Sequence, residues 1–187
     1  SMGAMGVCAT IPDVTSIPFF TTVTIDAVGD DIWIEEGPYS SNPGNVRLAT
    51  EDDLLTLYAS TDLGDGIGFV QSNPIPHINV LDKDEVVLSQ QRTTLLNNEI
   101  RASANSHGYE VADMHEYMKE LKAGITFDGV EFNAEFIEGG GFSLDGIHPN
   151  TRGYAIIANK FIEVINGAYG SNIRPVSVMS YRGITFP

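Results

Sequence analysis

The sequence predicts an α/β domain built on a parallel sheet, and three observations carry that prediction. Residues 5–11 are a short run of small and apolar side chains closed by Pro12-Asp13, the pattern of a strand covered on both faces. A long helical pattern opens at Lys83 and stops at Gly108. Tyr109-Glu110-Val111-Ala112-Asp113 then reads as a second strand, and strand, helix and strand in that order form the crossover that joins parallel neighbours.

The remaining elements follow from local chemistry. Ile17-Pro18-Phe19-Phe20 leads into a stretch without helical period, and Ile32-Trp33-Ile34 reads as a short strand stopped by Gly37-Pro38. Thr50-Glu51-Asp52-Asp53 has the form of a capping box and predicts a short helix through Leu54, Leu55, Leu57 and Tyr58, broken at Gly64-Asp65-Gly66. The acids and glycines of 62–68 lack the spacing of an EF-hand calcium loop. Leu88, Leu95, Leu96 and Ile100 form the expected apolar face of the long helix, and Met114 to Leu121 predicts a shorter one. Val130, Phe132, Ala134 and Phe136 alternate as a strand or hairpin arm does. Tyr154, Ile157, Ala158, Phe161, Ile162 and Ile165 give the last helix a broad apolar face, which Gly167 is expected to end. The tail from Ser171, with Val176, Val178, Met179, Ile184 and Phe186, is expected to pack back as a last strand.

Composition narrows the function classes. A chain of 187 residues can bury a core as one domain, and 42% hydrophobic with 19% charged residues excludes large-scale disorder. A net charge of −15 argues against nucleic-acid phosphates and anionic membranes as partners. The single cysteine, Cys8, excludes an internal disulfide and reads as a buried strand residue. No stretch reaches ~18 apolar residues, so no membrane span is expected.

The chemistry concentrates in Gly139-Gly140-Gly141-Phe142-Ser143-Leu144-Asp145-Gly146-Ile147-His148-Pro149-Asn150, a glycine-flanked turn ahead of the last helix. A carboxylate three residues before an imidazole can fold back to accept from Nδ1–H, which sets the tautomer and leaves Nε2 able to take a proton. The same spacing also serves a turn in which the Asp145–His148 bond is only structural, and the chain is then a non-catalytic binding or structural module. His77, His107 and His115 sit in a proline-bearing stretch, at a helix end and near a helix start, positions that suit surface or capping roles. His115, Asp113 and Glu116 bring metal-ligating groups together in sequence without a ligand pattern such as His-x-x-x-His, so no metal is expected.

The run from Phe142 to Asn150, followed by Gly153-Tyr154 and an apolar helix, resembles the last motif block of the SGNH hydrolases, also called GDSL-type esterases and lipases. Val7-Cys8-Ala9-Thr10-Ile11-Pro12-Asp13-Val14-Thr15 resembles the strand and turn that follow the third block of that family. The resemblance spans about residues 3 to 167 and is carried by its two ends. It implies a three-layer, flavodoxin-like α/β fold, incomplete at its N-terminus, and hydrolysis of an ester without cofactor or metal. His148 is then the base and Asp145 its partner.

In the family the nucleophile is the serine of a Gly-Asp-Ser block, and oxyanion donors come from the second and third blocks. Here Gly29-Asp30-Asp31 and Gly64-Asp65-Gly66 are the nearest strings, and neither Gly-x-Asn-Asp nor Gly-x-Ser-x-Gly occurs. Ser143 is too near Asp145 to stand beyond Nε2, and Ser16 suits a turn. The expectation is therefore a nucleophile upstream of residue 1 and a chain inactive alone. The sheet would be completed by an N-terminal segment, a second copy or the tail. Residues 1–187 are read as one hydrolase-type domain carrying an insertion at 21–80, with Trp33, Phe19 and Phe20 lining the substrate site. A lipid, an acetylated sugar or a small ester fits equally as substrate, and the compartment stays open with a slight family lean toward the periplasm or secretion.

Overall fold

The structure, a computed structural model, describes residues 5–29 and 31–184. In chain order the elements are β1 (Val7–Ala9), α1 (Pro18–Thr21), α2 (Ile25–Val28), β2 (Trp33–Glu35), β3 (Val46–Leu48), β4 (Leu54–Leu55), α3 (Ala59–Gly64), β5 (Val80–Leu81), α4 (Lys83–His107), β6 (Glu110–Ala112), α5 (Met114–Ala123), β7 (Ile125–Phe127), β8 (Val130–Phe132) and α6 (Thr151–Tyr169). Two compact units result: one combines Ser1–Asp13 with Arg92–Pro187, and the other is Val14–Gln91.

The first unit contains the predicted parallel pair. β1 runs beside β6 with Val7 opposite Glu110, Cys8 opposite Val111 and Ala9 opposite Ala112, and α6 packs on both strands. Contrary to expectation, β1 is not covered on both faces: Val7 and Cys8 are half-buried and Ala9 is exposed. Among the described residues its only strand partner is β6. The core of this unit is Tyr117, Phe132, Ala155, Ile156 and Val178, with Met114, Leu121, Ile125 and Phe127 around it.

Helix faces depart from the sequence pattern. In α4 the buried residues are Glu85, Thr93, Asn97 and Ala104, whereas Leu95 and Leu96 face solvent. Small and polar side chains win this face because Asn97 satisfies the backbone after β1, accepting from Ile11 N at 2.7 Å and donating to Ile11 O at 2.9 Å. In α6 the most deeply buried positions are Gly153, Ala155, Ile156 and Asn159, and Tyr154 is exposed. The helix runs past Gly167 and ends where Gly170 takes a left-handed conformation at φ 62°.

The tail returns to the body as expected, but as a 3-10 turn at Val178–Ser180 and not as a strand. Asn159 explains this, since its amide bonds Val176 N at 2.8 Å and Val176 O at 2.9 Å and uses the groups a ladder would need. Val178 is then fully buried against α6. Phe186, like Asp30, lies outside the described residues.

β7 and β8 form an antiparallel hairpin. The alternation of 130–136 continues as a strand only to Phe132, because Asn133 and Glu135 enter a turn in which Ile137 adopts φ 65°. A β-branched residue in that region is strained, and the turn holds it through Asn133 N to Gly139 O and Gly139 N to Glu135 O.

The second unit has its own core of Ile32, Ile34, Leu55, Ala59, Ile75 and Val80. β2 pairs with β3 and β4 with β5, both antiparallel. The helix expected after Thr50 does not form there. Asp53 turns back to accept from Thr50 N at 2.7 Å and from Lys83 N at 2.8 Å, while the guanidinium of Arg47 grips both its oxygens at 2.7 Å. Leu54 and Leu55 are thereby set against Leu81 and Val80 as a strand, and helix begins only at Ala59.

Candidate active site

The turn that carries Asp145 and His148 is fixed at both ends by backbone bonds. Ser143 N donates to His148 O at 2.8 Å, and Gly146 N to Ser143 O at 3.0 Å, with Gly146 at φ 69° where only glycine is unstrained. Asn150 then locks the turn to α6. Its Oδ1 accepts from Arg152 N at 2.9 Å and Gly153 N at 3.0 Å, which caps the helix. Its Nδ2 donates backwards to Gly140 O at 2.9 Å and Phe142 O at 3.0 Å. Gly153 has no room for a side chain, because a Cβ there would strike the Gly141 carbonyl.

Within this frame Asp145 uses its two oxygens differently. Oδ1 accepts from the Ser143 hydroxyl at 2.6 Å, from Ile147 N at 2.9 Å and from His148 N at 3.0 Å. Oδ2 lies 2.7 Å from His148 Nδ1. The Ser143 hydroxyl, then His148 and the two amides, hold the carboxyl well below the usual carboxylate range, so it stays ionised and acts only as an acceptor. In the neutral ring Nδ1 therefore carries the proton of this bond, and Nε2 keeps its lone pair. The His148 side chain is 68% exposed, and Nε2 has no hydrogen-bond partner among the described residues. Such an imidazole can accept a proton from an approaching hydroxyl.

A model of the GDSL-like lipase/acylhydrolase family matches residues 20–161, which include this turn. The chain belongs to that family. Its members are esterase- and lipase-type hydrolases of the SGNH α/β fold, acting on esters, and the parallel β1–β6 pair with its helices accords with that fold. No curated protein and no solved structure matches the chain.

Phe19, Phe20 and Trp33, expected to line the substrate site, lie in the Val14–Gln91 unit. Phe19 and Phe20 meet edge to face with ring centroids 5.1 Å apart, and Phe19 meets Tyr58 in the same way at 5.5 Å. Phe20 also lines a cavity of about 190 Å³ with Val23, Ile25, Glu51 and Leu54. Trp33 is half-buried on β2, opposite Leu48.

The acids near His115 are engaged elsewhere. Asp113 caps α5, accepts from Thr10 Oγ1 at 2.8 Å and pairs with Arg101 at 2.8 Å, and Glu116 pairs with Lys119 at 2.7 Å. Among the described residues no group of three side chains is arranged to hold a metal ion, and no helix is long and apolar enough to cross a membrane. Sequence reasoning weighed Ser143 only as a nucleophile. Its contact with Asp145 was missed, although a hydroxyl two residues before an Asx turn is a recognisable signal.

Proposed function

We propose that His148 is the general base of an ester-hydrolysing site, that Asp145 orients it, and that the attacking serine stands on a segment outside these 187 residues. The observation that carries this reading is the 2.7 Å contact between Asp145 Oδ2 and Nδ1 of a largely exposed imidazole. Nε2 takes the proton of the serine hydroxyl as its oxygen attacks the ester carbonyl, and returns it to the departing alcohol as the tetrahedral intermediate collapses. Water, deprotonated in the same way, then releases the acid and restores the serine.

Two features support an external nucleophile. The one serine on the turn, Ser143, has its hydroxyl proton committed to Asp145. β1 also exposes Ala9 where the parallel sheet of an α/β hydrolase is normally covered, and Leu95 and Leu96 stand uncovered on α4 of the same unit. A further strand, from an N-terminal segment or a second copy, would cover such surface. In this reading residues 1–187 work as one hydrolase-type domain, with 21–80 as the substrate-shaping insertion and Phe19, Phe20 and Trp33 lining the substrate site. The structural alternative is disfavoured by the turn itself, because Asp145 Oδ1 satisfies the turn amides without help from the imidazole.

The test is hydrolysis of p-nitrophenyl acetate by the 187-residue chain and by the full-length gene product. The short chain should stay at background, and the full-length protein should be active and lose at least about a hundredfold on His148→Ala. Activity of the short chain that His148→Ala abolishes would overturn the external nucleophile. A full-length enzyme indifferent to His148→Ala would overturn the base.

A further inference from the structure

We propose that Ser143 is a positioning residue, whose hydroxyl clamps the Asp145 carboxylate so that His148 keeps its proton on Nδ1. The inference rests on the reading of His148 as the base, and it assigns to Ser143 a task distinct from nucleophile or turn former. Three donors converge on Asp145 Oδ1. Two are the amides of Ile147 and His148, from the segment that follows the carboxylate, and the third is the Ser143 hydroxyl, from the segment that precedes it, at the shortest distance of the three, 2.6 Å. Donors from both sides stop the carboxylate from rotating about its Cβ–Cγ bond, and Oδ2 is thereby held toward Nδ1.

The hydroxyl is not needed to fold the turn. Ser143 is already tied through its backbone, N–H to His148 O at 2.8 Å and carbonyl to Gly146 N at 3.0 Å. Removing only the oxygen leaves those bonds and both Asp145 amide bonds in place. The clamp matters because a neutral imidazole free in water prefers its proton on Nε2, the nitrogen that a base must keep bare. The bond to Oδ2 reverses that preference only while the carboxylate stays in plane and in reach.

The experiment reads the tautomer of His148 directly, from ¹⁵N imidazole shifts of the 187-residue chain with the ring neutral. It needs neither substrate nor nucleophile, so its outcome is independent of whether ester hydrolysis is found. The wild type should hold the Nδ1–H tautomer. Ser143→Ala should move the population toward Nε2–H by about five- to tenfold, the worth of one hydrogen bond, and Ser143→Thr should restore it. Should the alanine variant not fold, Ser143→Cys, with its weaker donor, carries the same expectation. A wild-type tautomer ratio in Ser143→Ala or in Ser143→Cys, or a threonine variant shifted as far as the alanine one, would overturn the proposal.

Discussion

Asp145 does two jobs with two oxygens, and the jobs can be separated by substitution. Oδ1 holds the turn through the amides of Ile147 and His148, whereas Oδ2 meets only the imidazole. Asp145→Ala should therefore cost about 1–2 kcal/mol in a urea melt, as the loss of capping-type bonds does. His148→Ala should stay within about 0.5 kcal/mol of wild type, because an exposed ring that meets only one oxygen contributes little to the fold. Equal losses in the two variants would make the imidazole a structural staple and favour the non-catalytic reading. This pair was legible in the sequence because Asp145 and His148 are three residues apart on one glycine-hinged turn, so their contact needs no tertiary information. The two backward bonds of Asn150 were not legible, since they depend on where Gly140 and Phe142 come to lie.

Among the elements, those with strong local punctuation were legible and those set by buried charge were not. α4 starts at Lys83 and ends at His107, and Gly108 takes φ 68° just beyond it, as a helix stop requires. Its buried face was misread because Asn97 is recruited by Ile11, a partner 86 residues away in sequence. The expected helix after Thr50 failed for a related reason, the hold of Arg47 on Asp53. Arg47 also pairs with Glu36 at 2.7 Å, and the side chains of Asp53 and Glu36 are 0% and 4% exposed. Burial would raise both carboxyls, yet the guanidinium and their other donors hold them below the usual range, and the Asp53 carboxylate, with Glu36, holds Arg47 above its own. Arg47→Met should leave two buried carboxylates without their cation and cost about 3–5 kcal/mol in chemical denaturation. A loss below about 1 kcal/mol would show that β3 and β4 do not depend on this ion-paired hub.

At the scale of the whole molecule the α/β class was legible from one crossover, while the exposure of β1 was not, because burial of a strand depends on everything packed beside it. The charge balance was legible in full, and it makes a prediction about pH and salt. The chain carries 25 acidic and 10 basic residues, so at pH 7 its folded form is strained by self-repulsion. Raising NaCl from about 0.05 M to about 0.5 M should then raise Tm at pH 7, since screening relieves like charges more than it weakens short, partly buried pairs. Acid acts through different groups. Glu36, Asp53, Asp113 and Asp145 are all held below their ordinary values when folded. A depressed carboxyl contributes stability that is present above its unfolded pKa, near 4, and is lost as pH falls below it toward the folded value. Tyr117 has the opposite sign: burial, then the nearby Glu120 and Glu163, push its phenol up to about 12, so its contribution holds below about pH 10 and fades above it. Thermal melts should therefore show a plateau through neutral pH, a steep fall in Tm below about pH 4, and a second decline above about pH 10. A Tm that holds at about pH 3 would mean that the four carboxylates carry no stability, and a Tm that drops on adding salt at pH 7 would mean that attraction, not repulsion, dominates the surface of this acidic chain.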